Sequence, residues 1–232
     1  MRTIKKVASH IFIDGFGGMT QGLFATLIIG TMIQQIGLLI GGSTGNVIYL
    51  LGKAAAALTS AGIGVGVAVK YGESPLVTVS AAVAAMVGGY AGKITGGTFF
   101  VDGNAVLAGP GEPLGAFIAA FAGITCGHLV SGKTKVDIIV TPVITIGAGS
   151  VVGLLVGPPI SQMMTGLGSI INWATEQRPF IMGIVVSVVM GMVLTLPISS
   201  AALGIILNLS GLAAGAATIG CCCNMVGFAV AS

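Results

Sequence analysis

Few groups in this 232-residue chain can do chemistry: six acids, two histidines and four cysteines. Glu112 stands out among them. It lies in Gly109-Pro110-Gly111-Glu112-Pro113-Leu114-Gly115, a glycine- and proline-broken stretch just ahead of an apolar run. A carboxylate accepts hydrogen bonds at two oxygens, which suits adjacent hydroxyls of a sugar-like solute. Gly109, Gly111 and Pro113 leave backbone groups open for the same purpose. The alternative is a plain helix-start acid that complements the macrodipole.

Asp102 and Asn104 lie ten and eight residues earlier, in Val101-Asp102-Gly103-Asn104. Asp-Gly marks a turn, but both side chains share a cavity with Glu112 if the segment folds back into the protein. His128 sits near the end of the next apolar run. It is either an interface residue or a proton or substrate contact. Gln34, Gln35, Asn208 and Asn224 fall inside apolar runs, where amides bond neighbouring helices or line a polar path. His10 and Asp14, four apart, share one face of an N-terminal amphipathic stretch.

Cys221, Cys222 and Cys223 are consecutive, which gives neither a disulfide framework nor zinc-ligand spacing. With Cys126 they are expected to be free thiols buried among helices. No metal site, cofactor, nucleotide-binding loop, zinc-binding helix or nucleophile elbow is expected, so the chain is not read as an enzyme.

The elements that must position Glu112 follow from composition. Hydrophobic residues make up 55% and charged residues 6%, against about 25% charged in soluble domains. So few charges cannot cover a water-facing surface, and the natural solvent is lipid. The 39 glycines fit close helix packing in a bilayer. A net charge of +3 without a basic, aromatic-interleaved stripe excludes nucleic-acid binding.

A span needs about 20 apolar residues. Runs of that kind cover 20–40, 47–69, 76–91, 114–130, 138–156 and 180–196, and 201–232 holds two more with a break at Ser210-Gly211. This is an all-α polytopic membrane protein of about seven or eight transmembrane segments. Turns are expected at 41–45, 70–75 and 131–136. Gly157-Pro158-Pro159 is expected to end the fifth span, leaving 160–174 as an interfacial segment with Trp173 at headgroup level. Residues 93–113 are too broken for a span and too apolar for a plain loop. Irregular backbone at membrane depth survives only where protein or water shields it, so this segment is read as re-entrant.

Arg2, Lys5, Lys6, Lys70, Lys133 and Lys135 fall on one side of this topology, and Lys53, Lys93 and Arg178 on or toward the other. The positive-inside rule then puts the N-terminus in the cytoplasm. Residues 22–30 resemble 183–191, and 66–69 resemble 227–230 at the same offset. Five spans between copies make an inverted repeat of the transporter kind. The expected units are an amphipathic segment at 1–19, a first repeat at 20–177 and the start of a second at 178–232. The second is unfinished, so the chain is expected to be part of a longer protein.

The stretches GPGEPLGAF (Gly109 to Phe117) and GLAAGAATIGCCCNMVGFAV (Gly211 to Val230) carry a family resemblance. The chain resembles the membrane-embedded IIC component of bacterial phosphotransferase-system sugar transporters, in particular a stand-alone IIC-like branch. The first stretch looks like the family's Gly-x-x-Glu-Pro motif, in which the Glu holds the sugar; here Glu112 matches it, with Gly109 and Pro113 in support. Pro110 and Gly111 replace the aliphatic residue and Thr usual at the two middle positions. The resemblance implies a bacterial inner-membrane permease with membrane lipid around it, a homodimer, and separate IIA and IIB proteins for phosphoryl transfer. Two other readings stand beside it: a phosphorylation-independent transporter or channel for an ion or small solute, and a membrane sensor that binds without transport.

Overall fold

The computed structural model describes residues 14–101, 104–105, 109–193 and 209–231. Helices account for nearly all of them. They are α1 (Phe16–Leu23), a π-helical turn (Phe24–Ile28), α2 (Ile29–Ile40), α3 (Gly42–Ala57), α4 (Thr59–Lys70), α5 (Pro75–Gly89), α6 (Ala91–Thr95), α7 (Pro113–Val130), α8 (Asp137–Gln177), α9 (Pro179–Val193) and α10 (Gly211–Ala231). A two-residue antiparallel hairpin, β1 (Phe100–Val101) with β2 (Asn104–Ala105), sits between α6 and α7. Residues 1–13 of the expected N-terminal amphipathic segment, His10 among them, lie outside the described residues, and Phe16 onward belongs to the first long apolar helix stretch.

Three helical stretches are long and apolar enough to cross a bilayer: Phe16–Ile40, Pro113–Val130 and Asp137–Met163. The pair α3 and α4, bent by 52°, makes a fourth if taken as one span. Pro75–Gly89, Pro179–Met192 and Gly211–Gly227 are shorter apolar helices. Large side chains such as Leu39 and Phe180 are more than 80% exposed. Apolar exposure on this scale suits lipid and not water. The protein is an all-α polytopic membrane protein.

Several boundaries differ from the sequence-based reading. The 41–45 turn contracts to Gly41, whose φ of 65° ends α2, and α3 starts at Gly42. The span expected at 47–69 breaks at Leu58. Gly157-Pro158-Pro159 does not end its helix, because α8 runs through all three residues. Proline removes a donor, but membrane helices tolerate that loss where neighbours pack closely. A methyl on Gly153 would lie 2.8 Å from Gly88 Cα, and one on Gly157 would lie 2.7 Å from Ala91 Cβ. That tight seam holds the helix on course, and the interfacial segment expected at 160–174 is part of α8. The break expected at Ser210-Gly211 is present, with Gly211 at φ 52° opening α10. Residues 194–208, including Asn208, lie outside the described residues.

The chain divides into two compact units, Met1–Ser161 and Gln162–Ser232. In the first, α1 packs on α4, α2 on α3, and α4 and α5 on α7. Glycines set these contacts: Gly18 meets Gly66, Gly22 meets Gly62, Gly30 meets Gly52, and Gly88 meets Gly115. Backbones come this close only where no side chain intervenes. Local signals match the helix starts at α5, where Val77 N–H donates to Ser74 Oγ at 3.4 Å behind Pro75. In the second unit α9 packs on α10. Ser187 donates to Ala216 O at 2.6 Å and Asn224 to Gly191 O at 2.6 Å, around Val186, Met190 and Ala217. Asn224 thus bonds a neighbouring helix, one of its two expected roles. The cysteines are free, but Cys222 and Cys223 are exposed and not buried as expected. Three neighbouring positions on a helix point 100° apart, so they cannot all face one core.

Candidate functional site

The site is built where three helix breaks meet. The first is Leu58, between α3 and α4. A helix that stops leaves its last carbonyls without N–H partners. Here Leu58 N–H donates to Ala55 O at 3.2 Å, the Thr59 hydroxyl to Ala56 O at 2.6 Å, and the Tyr90 phenol to Ala57 O at 3.3 Å. The second break is Tyr90 itself, between α5 and α6, with φ −102° and ψ 8°. The third is the segment 109–112 that leads into α7.

That segment is fastened at three positions. The Tyr90 phenol donates to Gly109 O. The Ser60 hydroxyl donates to Pro110 O at 3.0 Å. Glu112 N–H donates to Gly89 O at 2.7 Å. Gly109 and Gly111 hold φ of 80° and 75°, a left-handed conformation that only glycine adopts at little cost. A methyl at Gly111 would also lie 2.5 Å from Ser60 Oγ. Ser60 and Tyr90 are fully buried. Phe99 lies 5.5 Å from the Tyr90 ring, and Lys93 Nζ sits 5.3 Å over it.

Glu112 is the N-cap of α7, directly before Pro113 at its first turn. Its side chain makes no capping bond to the helix, and Oε1 is buried without a hydrogen-bond partner. The Leu114 N–H faces the carboxyl from the first turn, but plain capping leaves Oε1 without a partner. Glu112 precedes the first residue of the spanning helix. Burial pushes its carboxyl up to about 7, while the Leu114 N–H pulls the other way. A buried, unsatisfied acceptor at a helix break is an arrangement that can take a hydroxyl donor.

The structure brings together Glu112, Gly109, Gly111 and Pro113, four of the residues expected from sequence. Asn104 pairs with Val101 in the hairpin, and Asp102 lies outside the described residues. His128 does not join the group. It is near the far end of α7, about 24 Å away at ~1.5 Å per residue. There its Nδ1 lies 2.9 Å from Glu73 Oε1, with the imidazole 71% exposed. Gln34 is occupied within its own helix, donating to Gly30 O at 3.4 Å, and Gln35 is exposed.

Ser60 and Tyr90 were not singled out from sequence. The signal for Ser60 is the Thr59-Ser60 pair in an otherwise apolar run. Nothing local marks Tyr90. Contrary to the expectation of no nucleotide-binding loop and no nucleophile elbow, two segments spell those patterns, and structure decides both. Gly127 to Thr134 (GHLVSGKT) fits the phosphate-loop spacing, but Gly127 lies inside α7, whereas a phosphate loop follows a strand. Its Gly132 N–H donates instead to Asp137 Oδ1 at 2.9 Å, so a carboxylate holds the anion position. Gly41 to Gly45 (GGSTG) fits the nucleophile-elbow spacing, but it joins two helices and Ser43 is exposed. Among the described residues no group of acids, histidines and cysteines is placed to hold a metal.

Comparison with curated proteins and with solved structures finds no match. A family model, Phosphotransferase system, EIIC, matches residues 13–232, a stretch that takes in the Gly109–Glu112 segment and the helices that hold it; the chain belongs to that family.

Proposed function

We propose that this phosphotransferase-type membrane transport component binds a sugar-like solute at Glu112 and carries it across a bacterial inner membrane by alternating access. The observation that carries the reading is the buried, unpartnered Oε1 of Glu112 at a helix break. Half-helix ends and broken segments are where transporters place solutes, because freed backbone groups and one charged side chain replace the solute's water. Gly109 and Pro110 carbonyls, Gly111 and Pro113, with Asp102 and Asn104 on the strength of the sequence pattern, complete the proposed contact set. Residues 93–113 form its re-entrant wall. EIIC is the transport part of its system and not the catalyst, so phosphoryl transfer falls to separate IIA and IIB partners. The protein works as a homodimer in lipid, with its N-terminus in the cytoplasm.

Binding of radiolabelled hexoses and hexitols to the purified protein tests this. Glu112→Gln and Glu112→Ala are expected to weaken the sugar that wild type binds by at least tenfold. Unchanged affinity in both variants overturns the reading. A second reading, proton-coupled uptake without phosphorylation, draws on the raised Glu112 carboxyl, which can exchange a proton near neutral pH. Uptake into proteoliposomes driven by a pH gradient, without any phosphoryl donor, separates the two.

A further inference from the structure

We propose that Tyr90, assisted by Ser60, is the positioning residue of the site: it ties the Gly109–Glu112 segment to the α3–α4 break, so that the bend and the carboxylate move together. The inference rests on the reading of Glu112 as the solute ligand.

The argument is an accounting of donors and acceptors. In an unbroken helix the Ala57 carbonyl accepts from the N–H four residues on, at Ala61. The 52° bend between α3 and α4 opens that bond, and the Tyr90 phenol takes it up at 3.3 Å. The same phenol also reaches Gly109 O. It has one proton and so serves one carbonyl at a time. Bent, the break offers Tyr90 a second acceptor that competes with the loop. Straightened, it returns Ala57 O to the helix and leaves the phenol wholly to Gly109. Ser60, on the other side of the break, holds Pro110 O at 3.0 Å. Glu112 N–H is fixed to Gly89 O, the residue next to Tyr90. The carboxylate therefore hangs from groups on both sides of the bend.

Tyr90→Phe tests this with little disturbance, because it keeps the ring against Phe99 and Lys93 and removes one oxygen. The ligand-independent probe is dicyclohexylcarbodiimide, an apolar reagent that adds to protonated carboxyls in dry surroundings. Modification of Glu112 in the purified full chain at neutral pH is read by peptide mass spectrometry, with Glu112→Gln as the blank. Tyr90→Phe is expected to slow Glu112 labelling at least fivefold, and Ser60→Ala to slow it in the same direction. Tyr49→Phe, which removes a phenol eight residues ahead of Ala57 on α3, labels as wild type. Labelling within twofold of wild type in both Tyr90→Phe and Ser60→Ala overturns the proposal.

Sugar binding supplies a readout that a merely structural phenol would not move. Tyr90→Phe weakens the bound hexose about tenfold in the wild-type background and adds nothing to Glu112→Gln. Equal losses in the two backgrounds mean that Tyr90 acts apart from Glu112, and sink the idea. If instead Glu112→Gln binds as wild type while the labelling responds as expected, the solute reading fails and the positioning role stands.

Discussion

At the scale of single residues, Glu112 carries most of the consequences. Leaving a buried acceptor unpaired costs about 1–3 kcal/mol, and the same burial disfavours the charged form and raises its carboxyl to about 7. An acid held above its unfolded pKa binds its proton more tightly in the folded state. Its contribution to stability is complete below the ordinary carboxylate range and is lost as pH rises through about 7. The melting temperature of the detergent-solubilised protein should therefore fall between about pH 5 and pH 8, with Glu112→Gln flattening that part of the profile. Gly111→Ala adds a side chain at φ 75° and presses on Ser60. It should destabilise the protein by about 1–3 kcal/mol, read as a lower melting temperature. The His128–Glu73 pair, exposed on its imidazole side, lies at the end of α7 away from Glu112. His128→Gln should leave hexose affinity within twofold of wild type.

At the scale of elements, backbone contact through glycine decides which helices meet. A methyl on Gly88 would press on Gly115 O at 2.5 Å and on Ala119. Backbone cannot yield as a flexible side chain does, so Gly88→Ala should separate α5 from α7 and lower the melting temperature by several degrees. Gly147, also helical, has open space around it. Gly147→Ala should raise stability slightly, by about 0.5–1 kcal/mol, because the unfolded chain loses freedom. Unchanged melting in Gly88→Ala would remove the α5–α7 seam from this account. The same logic explains the path of α8. Gly153 and Gly157 bring it against Gly88 and Ala91, and these contacts outweigh the two missing proline donors that sequence alone reads as a stop.

At the scale of the whole molecule, topology is testable. With the N-terminus in the cytoplasm, the α2–α3 turn faces outward and the α7–α8 turn inward. With the native cysteines replaced by serine, Ser43→Cys should react with an impermeant maleimide on intact cells. Lys135→Cys should react only after the membrane is opened. The reverse pattern would invert the proposed orientation and place the Gly109–Glu112 segment near the cytoplasmic face.

Composition and hydropathy were enough to determine the membrane class, since 6% charged residues cannot cover a water-facing surface. They also located the broken stretch around Glu112, because Gly109, Pro110 and Gly111 crowd turn-forming residues just ahead of Pro113, a residue suited to the first turn of a helix. Sequence did not reveal the break at Leu58. No proline or glycine sits there, and the bend persists because Thr59 and Tyr90 satisfy the carbonyls it frees. Nor did it reveal the partners of the site, since Ser60 and Pro110 are fifty residues apart. Which acceptors Tyr90 reaches, whether α8 survives Pro158 and Pro159, and whether His128 joins Glu112 were decided by tertiary contact. Donors and acceptors must be matched across the whole packed chain, and that matching has no local signature.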